Sequence, residues 1–138
     1  MYCPDIAAKR GTGRGVEMLD DAQALNIWAQ VNAAFNRGDI DTFMSFAADN
    51  FTGMASDVFM GSPEEFKAAM VNGRNSGWTE QLMRSVAVHN NLLTCSYYNV
   101  FADGSKTEGA GVALFNDDGK IIAVRALNNS GATPMKKS

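Results

Sequence analysis

Three aspartates lie close together in the segment FNRGDIDTFMSFAADNFTG, residues 35–53, among Phe and Met side chains. Carboxylates beside apolar surface are where shifted pKa values and acid–base catalysis arise. Aspartates are also typical of helix starts, because a carboxylate accepts hydrogen bonds from the free N–H groups of a first turn. Asp39 and Asp41 fall at a predicted helix start and Asp49 follows that helix, so we expect structural or solvated roles for them.

The other residues with chemical potential form no catalytic or metal-binding pattern. His89 is the single histidine and its setting HNN predicts an exposed turn, so a histidine-rich metal site is excluded. Cys3 and Cys95 are the two cysteines, and their settings predict no disulfide framework. No serine stands in the sequence context of a nucleophile elbow. We therefore expect neither a metal nor a cofactor.

Composition bounds the class of protein. The 138 residues are 46% hydrophobic and 20% charged, which is typical of one soluble globular domain. A net charge of −3 gives no electrostatic reason to expect nucleic acid as a partner. No apolar run approaches the ~18–20 residues of a membrane span. The first residues, MYCPDIAAKRG, lack the apolar core of a signal peptide, so we expect a cytoplasmic protein with no membrane partner.

The two ends of the chain are polar and carry glycine and basic residues, which predicts flexible tails over 1–17 and 131–138. The stretch KRGTGRG, residues 9–15, lacks the GxxxxGK and GxGxxG spacings of phosphate-binding loops. One domain is therefore expected over 18–130.

Apolar periodicity predicts helices first and strands second along this domain. The apolar residues of LNIWAQVNAAF recur at steps of three and four, which indicates an amphipathic helix over 21–37. A second helix is predicted over 40–48, and Ser62 caps a third over 63–71. Two short strands are expected within 51–61. Turn signals then separate four long strands, over 79–88, 92–102, 106–115 and 120–128.

Three motifs in this order resemble one known group of proteins. They are the helix end FNRGDIDTFMSFAADNF, the helix start GSPEEFKAAM and the closing hairpin GVALFNDDGKIIAVRALNN. With them, residues 20–130 resemble the nuclear transport factor 2-like superfamily, which includes ketosteroid isomerase, limonene epoxide hydrolase, scytalone dehydratase and the polyketide cyclases. The resemblance implies an α+β fold in which a cone-shaped, curved antiparallel sheet is closed by three N-terminal helices. It also implies a deep, mostly apolar pocket and dimers joined through the outer sheet face.

The resemblance does not carry over the catalytic residues of these enzymes. The positions that hold the general base and the two hydrogen-bond donors in ketosteroid isomerase fall on Ala55, Val31 and Gly111. None of these side chains can abstract a proton or stabilise an enolate. The Asp-Arg-Asp set of the epoxide hydrolases is also missing, since Arg125 is expected to face outward. Asp57, two residues beyond Ala55, stays a catalytic candidate.

Strand alternation predicts which side chains line the pocket. The row of Gly and Ala on the third long strand leaves space inside the cone, whereas the aromatics could instead fill the cone as core. Tyr98 is a second catalytic candidate because it is expected to point inward. The predicted ligand-binding set is Trp28, Val31, Phe35, Met54, Ser96, Tyr98, Gly111, Ala113, Phe115, Ala126 and Asn128.

The opposite face of the sheet is expected to carry too many apolar side chains to be exposed to solvent. An apolar patch of this size normally marks an interface, so we expect a homodimer through this face. The predicted outward residues are Ala110, Val112, Leu114, Ala123 and Leu127, with Cys95, Tyr97 and Phe101.

Three functions stay open on the sequence. The first is a domain that binds a small hydrophobic molecule in its pocket. The second is an enzyme of the isomerase, cyclase, dehydratase or hydrolase type, with a residue set that the sequence does not identify. The third is a non-catalytic dimeric scaffold with a filled cavity. The sequence does not decide whether the protein is an enzyme.

Overall fold

The computed structural model of the chain describes residues 19–128. The predicted tails, 1–17 and 131–138, lie outside the described residues. The described part has the predicted α+β order of three helices followed by long strands, with a strand pair between the second and third helices. Only the second strand of this pair is short: the first starts at Ala47, before the predicted range of 51–61, and is nine residues long. The helices are α1 (Asp21–Asn36), α2 (Ile40–Ser45) and α3 (Pro63–Asn75), and the strands are β1 (Ala47–Ala55), β2 (Val58–Met60), β3 (Trp78–His89), β4 (Leu92–Phe101), β5 (Lys106–Phe115) and β6 (Ile121–Asn128).

The first two helices begin where the sequence places their caps. Asp20 and Gln23 form a capping box at α1, in which the Asp20 carboxylate accepts from Ala22 N at 2.8 Å. Asp39 caps α2 and accepts from both the N–H and the hydroxyl of Thr42, at 3.1 and 2.7 Å. These bonds to Thr42 hold the pKa of Asp39 below its usual range. Asp39 is thus a structural cap.

The two other aspartates of the opening segment also lie away from any catalytic arrangement. Asp41 is exposed in the first turn of α2 and pairs with Lys67 Nζ at 2.7 Å. Asp49 is an exposed residue of β1. The structural and solvated roles expected for the three carboxylates are confirmed.

Two predicted helix ends are wrong. The predicted helix over 40–48 stops at Ser45, and β1 begins at Ala47 because Phe46 and Ile121 join the end of α2 to β6 by a backbone hydrogen bond of 2.7 Å. The third helix runs to Asn75 instead of 71. Its last turn is held by Arg74, whose Nη1 donates to the carbonyls of Phe35 and Thr79. The contacts of Phe46 with Ile121 and of Arg74 with Phe35 are distant in sequence, so local signals miss them.

The six strands form one curved, open sheet in the order β2-β1-β6-β5-β4-β3. The four long strands pair antiparallel as expected. In addition, β1 pairs parallel with β6, so the sheet is mixed, and this one parallel pair adjoins the expected antiparallel strands. A register shift between Met83 and Ser85 interrupts β3 opposite β4. Such a bulge bends a strand and increases its twist, which suits a sheet curved around helices.

The core lies between α1 and the concave face of the sheet. Its innermost part is packed solid, with Val31 and Ala113 at 0% exposure and Phe115 at 2%. Farther along the sheet, α3 covers the concave face, where Phe66 packs on Phe51 with ring centroids 4.9 Å apart. The space between the α1 and α3 coverings is where the candidate site lies.

Candidate functional site

A cavity of about 160 Å³ lies on the concave face of the sheet beneath α1 and α3. The apolar helix residues face it from one side, and the small residues of β5 and β6 face it from the other. Its lining residues are Trp28, Phe35, Phe43, Met54, Ala55, Met60, Phe66, Ala69, Met70, Trp78, Gln81, Cys95, Tyr97, Gly111, Val112, Val124, Ala126 and Asn128.

The structure brings together about half of the predicted ligand-binding set. Val31, Ala113 and Phe115 lie in the solid core instead of at the cavity. Ser96 and Tyr98 lie on the outer face of β4. The predicted residues that do line the cavity are Trp28, Phe35, Met54, Gly111, Ala126 and Asn128.

The predicted orientation of β4 is wrong. Cys95 pairs with Gly111 and Tyr97 pairs with Gly109, and residues paired across antiparallel strands share a face. Because β5 was expected to place its glycines inward, Cys95 and Tyr97 must face inward with them. Phe101, also expected outward, follows the same inward phase and lies half-buried beside Trp78. Both alternating sets of β4 contain apolar residues, so alternation alone could not choose between them.

A signal in the sequence could have fixed this orientation. Gly109 stands opposite Tyr97, and a Cβ at position 109 would overlap the tyrosine ring. A glycine in the middle of a strand often marks such a close approach. Pairing β4 with β5 across the Asp103-Gly104 turn would have put the Tyr97 ring over this glycine.

The two catalytic candidates lie away from the cavity. Tyr98 is on the outer face, with the Arg84 guanidinium 4.9 Å and the Lys106 ammonium 5.4 Å from its ring centroid. Asp57 is exposed in the turn between β1 and β2. Neither side chain is among the lining residues.

A polar cluster that the sequence reading missed lies at one end of the cavity wall. The Oδ1 atom of Asn128 accepts from the Tyr97 hydroxyl at 3.0 Å and from Asn99 Nδ2 at 3.1 Å. Asn99 in turn accepts from Gln81 Nε2 at 3.4 Å. The main chain of Gln81 is tied to α1 by two bonds to the Asn36 side chain, at 2.8 and 3.1 Å. The cluster is therefore anchored at both the sheet and the helix.

These bonds fix the orientation of the Asn128 amide. Two donors converge on Oδ1, so the amide oxygen is assigned to that position by its partners. The Nδ2 group is then left as a donor with no protein partner among residues 19–128. Asn128 lines the cavity, which makes its Nδ2 group a positioned donor for a ligand acceptor.

The cavity is electrically neutral over the described residues. Cys95 and Tyr97 are the titratable side chains among its lining residues, and no Asp, Glu, His, Lys or Arg is included. Burial raises the pKa of the Cys95 thiol. Burial, and secondarily the neighbouring Cys95, raises the pKa of Tyr97. Both groups are therefore protonated at neutral pH.

Two tryptophans contribute to this apolar wall, but their indole nitrogens are buried away from the cavity. Trp28 and Trp78 both line the cavity, and their Nε1 atoms are buried with no hydrogen-bond partner among residues 19–128. A buried donor without an acceptor costs roughly 1–3 kcal/mol. The two tryptophans are also the only ones in the sequence.

A larger, open groove of about 620 Å³ adjoins the cavity. The two spaces share Trp78 and Asn128 as lining residues. The groove is more polar, because the remainder of its lining comes from the turns at the ends of α3 and β4 and from the start of β5. These lining residues are Gly73, Ser76, Gly77, Asn99, Phe101, Ala102, Asp103, Ser105 and Thr107.

Comparisons with known proteins agree on the fold and do not indicate a function. No protein-family profile and no curated protein sequence matches the chain. A proposed SnoaL-like isomerase from Agrobacterium tumefaciens is 18% identical, with a TM-score of 0.65 over 78% of this chain and 98% of that one. A proposed polyketide cyclase from Xanthomonas campestris is 20% identical, with a TM-score of 0.63 over 80% and 93%. An NTF2-like protein of unknown function from Cytophaga hutchinsonii is 11% identical, with a TM-score of 0.68 over 83% and 95%.

The chain therefore has the nuclear transport factor 2-like fold. At these identities the likeness concerns the fold alone, and fold does not determine function. In the structure, Ala55 and Gly111 lie at the cavity wall and Val31 lies in the solid core. The positions at which the resemblance would place a base and two donors are thus occupied by side chains that can be neither.

None of the three helices in residues 19–128 is long and apolar enough to cross a membrane. Within the same range, no group of three or more His, Cys, Asp or Glu side chains is placed to hold a metal ion.

Proposed function

We propose that the chain is a small-molecule-binding domain whose hydrophobic ligand occupies the cavity between α1, α3 and the sheet. The observation that carries the proposal is the cavity of about 160 Å³ with an apolar wall and one positioned amide donor, Asn128 Nδ2. Mostly apolar pockets with a few converging polar groups are the usual form of small-molecule sites.

The chemistry of the wall favours binding over acid–base catalysis. A general base at neutral pH needs a pKa near the working pH. Cys95 and Tyr97 are the titratable lining groups and both have raised pKa values. Neither group can serve as that base without a change in its surroundings.

An enzyme is the second candidate function. It is supported by the named activities of structural neighbours, a proposed isomerase, a proposed polyketide cyclase and a proposed hydroxylase from Streptomyces galilaeus. Asn128 Nδ2 could polarise a substrate carbonyl, which is one part of such chemistry. The scaffold alternative needs a filled cavity, and the space beside Trp28 and Phe35 argues against it. A cytoplasmic location stays a prediction of the sequence.

We further propose that two chains associate through the outer face of β5 and β6. The outer apolar patch, defined by Val112, Leu114 and Leu127, is 38%, 39% and 70% exposed at these side chains. Ala110 pairs with Leu127 and Leu114 pairs with Ala123, whereas Val112, between them, pairs with Arg125. The Arg125 guanidinium is held by Thr52 O and Oγ1, at 3.1 and 3.0 Å, so its donors are turned to its own chain. An exposed apolar patch is typical of an interface, and a two-fold axis would bury it on both copies.

Native mass spectrometry of the purified protein, followed by release and identification of bound molecules, tests both proposals. We expect a dimer that carries an apolar ligand. The variant Ala126→Leu, which adds volume at the cavity wall, should lose the ligand and keep the dimer. A dimer without ligand that no apolar compound stabilises against heat would favour the scaffold. A monomer would contradict the proposed interface.

A further inference from the structure

Resting on the proposed function, we infer that the cavity and the groove beyond Trp78 are two compartments of one binding site. The ligand is not an anion, and it has an apolar, single-ring-sized head in the cavity. Next to the head it carries an acceptor oxygen, a carbonyl or an ether, that receives a hydrogen bond from Asn128. Its polar remainder extends into the groove.

The size of the cavity limits what it can enclose. An apolar cavity of about 150 Å³ holds one benzene molecule. The cavity here, at about 160 Å³, therefore accommodates one ring and no more. Any larger ligand needs a second space, and the groove of about 620 Å³ adjoins the cavity at Trp78 and Asn128.

The side chain at the junction between the two compartments, Trp78, is held in place. The Trp78 ring lies against Phe35, with centroids 4.4 Å apart. On the α3 side it lies so close to Gly73 that a Cβ there would be 2.8 Å from Trp78 Cε3. With its ring held on both sides, Trp78 fixes the place where a ligand must pass from apolar to polar surroundings.

Asn128 supplies the hydrogen bond at this boundary. Its Oδ1 atom is held by Tyr97 and Asn99, so Nδ2 is the part of the amide left for a ligand. A donor at the junction selects a ligand with an acceptor just outside its ring.

The charge of the two compartments disfavours an anionic ligand. Among residues 19–128, no Lys, Arg or His lines either compartment. The carboxylate of Asp103 lines the groove, where it accepts from the N–H and the hydroxyl of Ser105. An anionic remainder would therefore meet a carboxylate of like charge.

The test uses four compounds with one common ring. Ethylbenzene supplies the head alone, and acetophenone adds the acceptor. The alcohol 4-hydroxy-1-phenylbutan-1-one adds a neutral tail, and 3-benzoylpropanoate adds an anionic tail. Intrinsic tryptophan fluorescence reports occupancy, since both tryptophans line the cavity. We expect affinity to rise about fivefold to tenfold from ethylbenzene to acetophenone, the worth of one hydrogen bond. The neutral tail should bind at least about fivefold tighter than the anionic one.

Two variants separate the compartments. Asn128→Asp keeps the acceptor for Tyr97 and Asn99 but removes the Nδ2 donor, so acetophenone should lose its advantage over ethylbenzene. Ala102→Phe narrows the exposed groove and should remove the advantage of the neutral tail without changing the affinity for acetophenone. Ala68→Phe, at an exposed position of α3 outside both linings, is the control and should behave as the wild type.

The outcomes distinguish the two proposals. If none of the four compounds binds, the proposed function itself is contradicted. If ethylbenzene binds but acetophenone and the tailed compounds bind no better, the cavity is a binding site and the two-compartment inference is wrong. Tighter binding of the anionic than of the neutral tail would overturn the exclusion of an anionic ligand.

Discussion

Strands β4, β5 and β6 present two contrasting faces. On the concave face, the polar groups of Tyr97, Asn99 and Asn128 bond to one another within an apolar, uncharged cavity wall. On the outer face, charged groups gather around Tyr98, and apolar side chains such as Leu127 lie exposed. The polar groups of Tyr97, Asn99 and Asn128 bond to one another within one chain and leave the Asn128 Nδ2 donor for a ligand, whereas the outer apolar patch lies exposed on the single chain.

The largest effect is expected on the outer face. Leu127→Lys places a charge in the proposed interface, and the two-fold axis repeats it, so the dimer dissociation constant should rise about 100-fold or more. Sedimentation equilibrium measures this change. Val58→Lys, which replaces an exposed apolar side chain of β2 outside the patch, should leave the dimer intact. An equal effect of both variants would contradict the assignment of the interface.

The next effect tests which face Tyr97 occupies. Gly109→Ala adds a methyl group where the Tyr97 ring lies, so the free energy of unfolding should fall by about 2 kcal/mol. Gly61→Ala is the control, since its Cβ would come no closer than 3.3 Å to another atom. Urea denaturation measures both. A Gly109→Ala protein as stable as the control would contradict the inward orientation of β4.

The concave face should also set the stability of the protein at alkaline pH. Burial raises the pKa of Cys95, so the thiol ionises in the unfolded chain, near pH 9.0, before it does in the folded chain. This thiol's contribution is constant below about pH 8 and is lost as pH rises through about 9. Between pH 7 and pH 10 the wild type should therefore lose more stability than Cys95→Ala. Identical slopes in urea denaturation would show that the thiol is not buried.

The smallest expected effect on stability is the loss of a hydroxyl group at one of the two adjacent tyrosines. Tyr97→Phe removes the hydroxyl that donates to Asn128, and it should lower the free energy of unfolding by about 1 kcal/mol. Tyr98→Phe removes a hydroxyl on the outer face and should change it by less than about 0.5 kcal/mol. Thermal denaturation at pH 7 ranks the two variants. A larger effect at Tyr98 would reverse the assignment of the two faces.

Those parts of the fold that depend on neighbouring residues were predictable from the sequence. The capping signals at Asp20, Asp39 and Ser62 set the three helix starts, and the turn signals placed the long strands to within about two residues. Each signal acts over three or four positions, where local physical chemistry decides the structure.

The candidate site was only half predictable, because it depends on contacts between distant residues. The glycine row of β5 was correctly read as space inside the sheet, and Gly111 and Ala126 do line the cavity. Which side chains of β4 face inward depends on the register of β4 with β5. Both alternating sets of β4 side chains contain apolar residues, so alternation does not indicate that register. The polar cluster joins Gln81, Asn99 and Asn128 from three strands, and no sequence spacing predicts it.

The most direct test of the account is the binding of ethylbenzene to the wild type and to Ala126→Leu, followed by tryptophan fluorescence. The account predicts saturable binding of one molecule to each wild-type chain and none to Ala126→Leu, because the larger side chain fills the cavity. Ala87→Leu, an exposed position on β3 outside the cavity, should bind as the wild type does. No binding to the wild type, or equal binding to wild type and Ala126→Leu, would contradict a ligand site in this cavity.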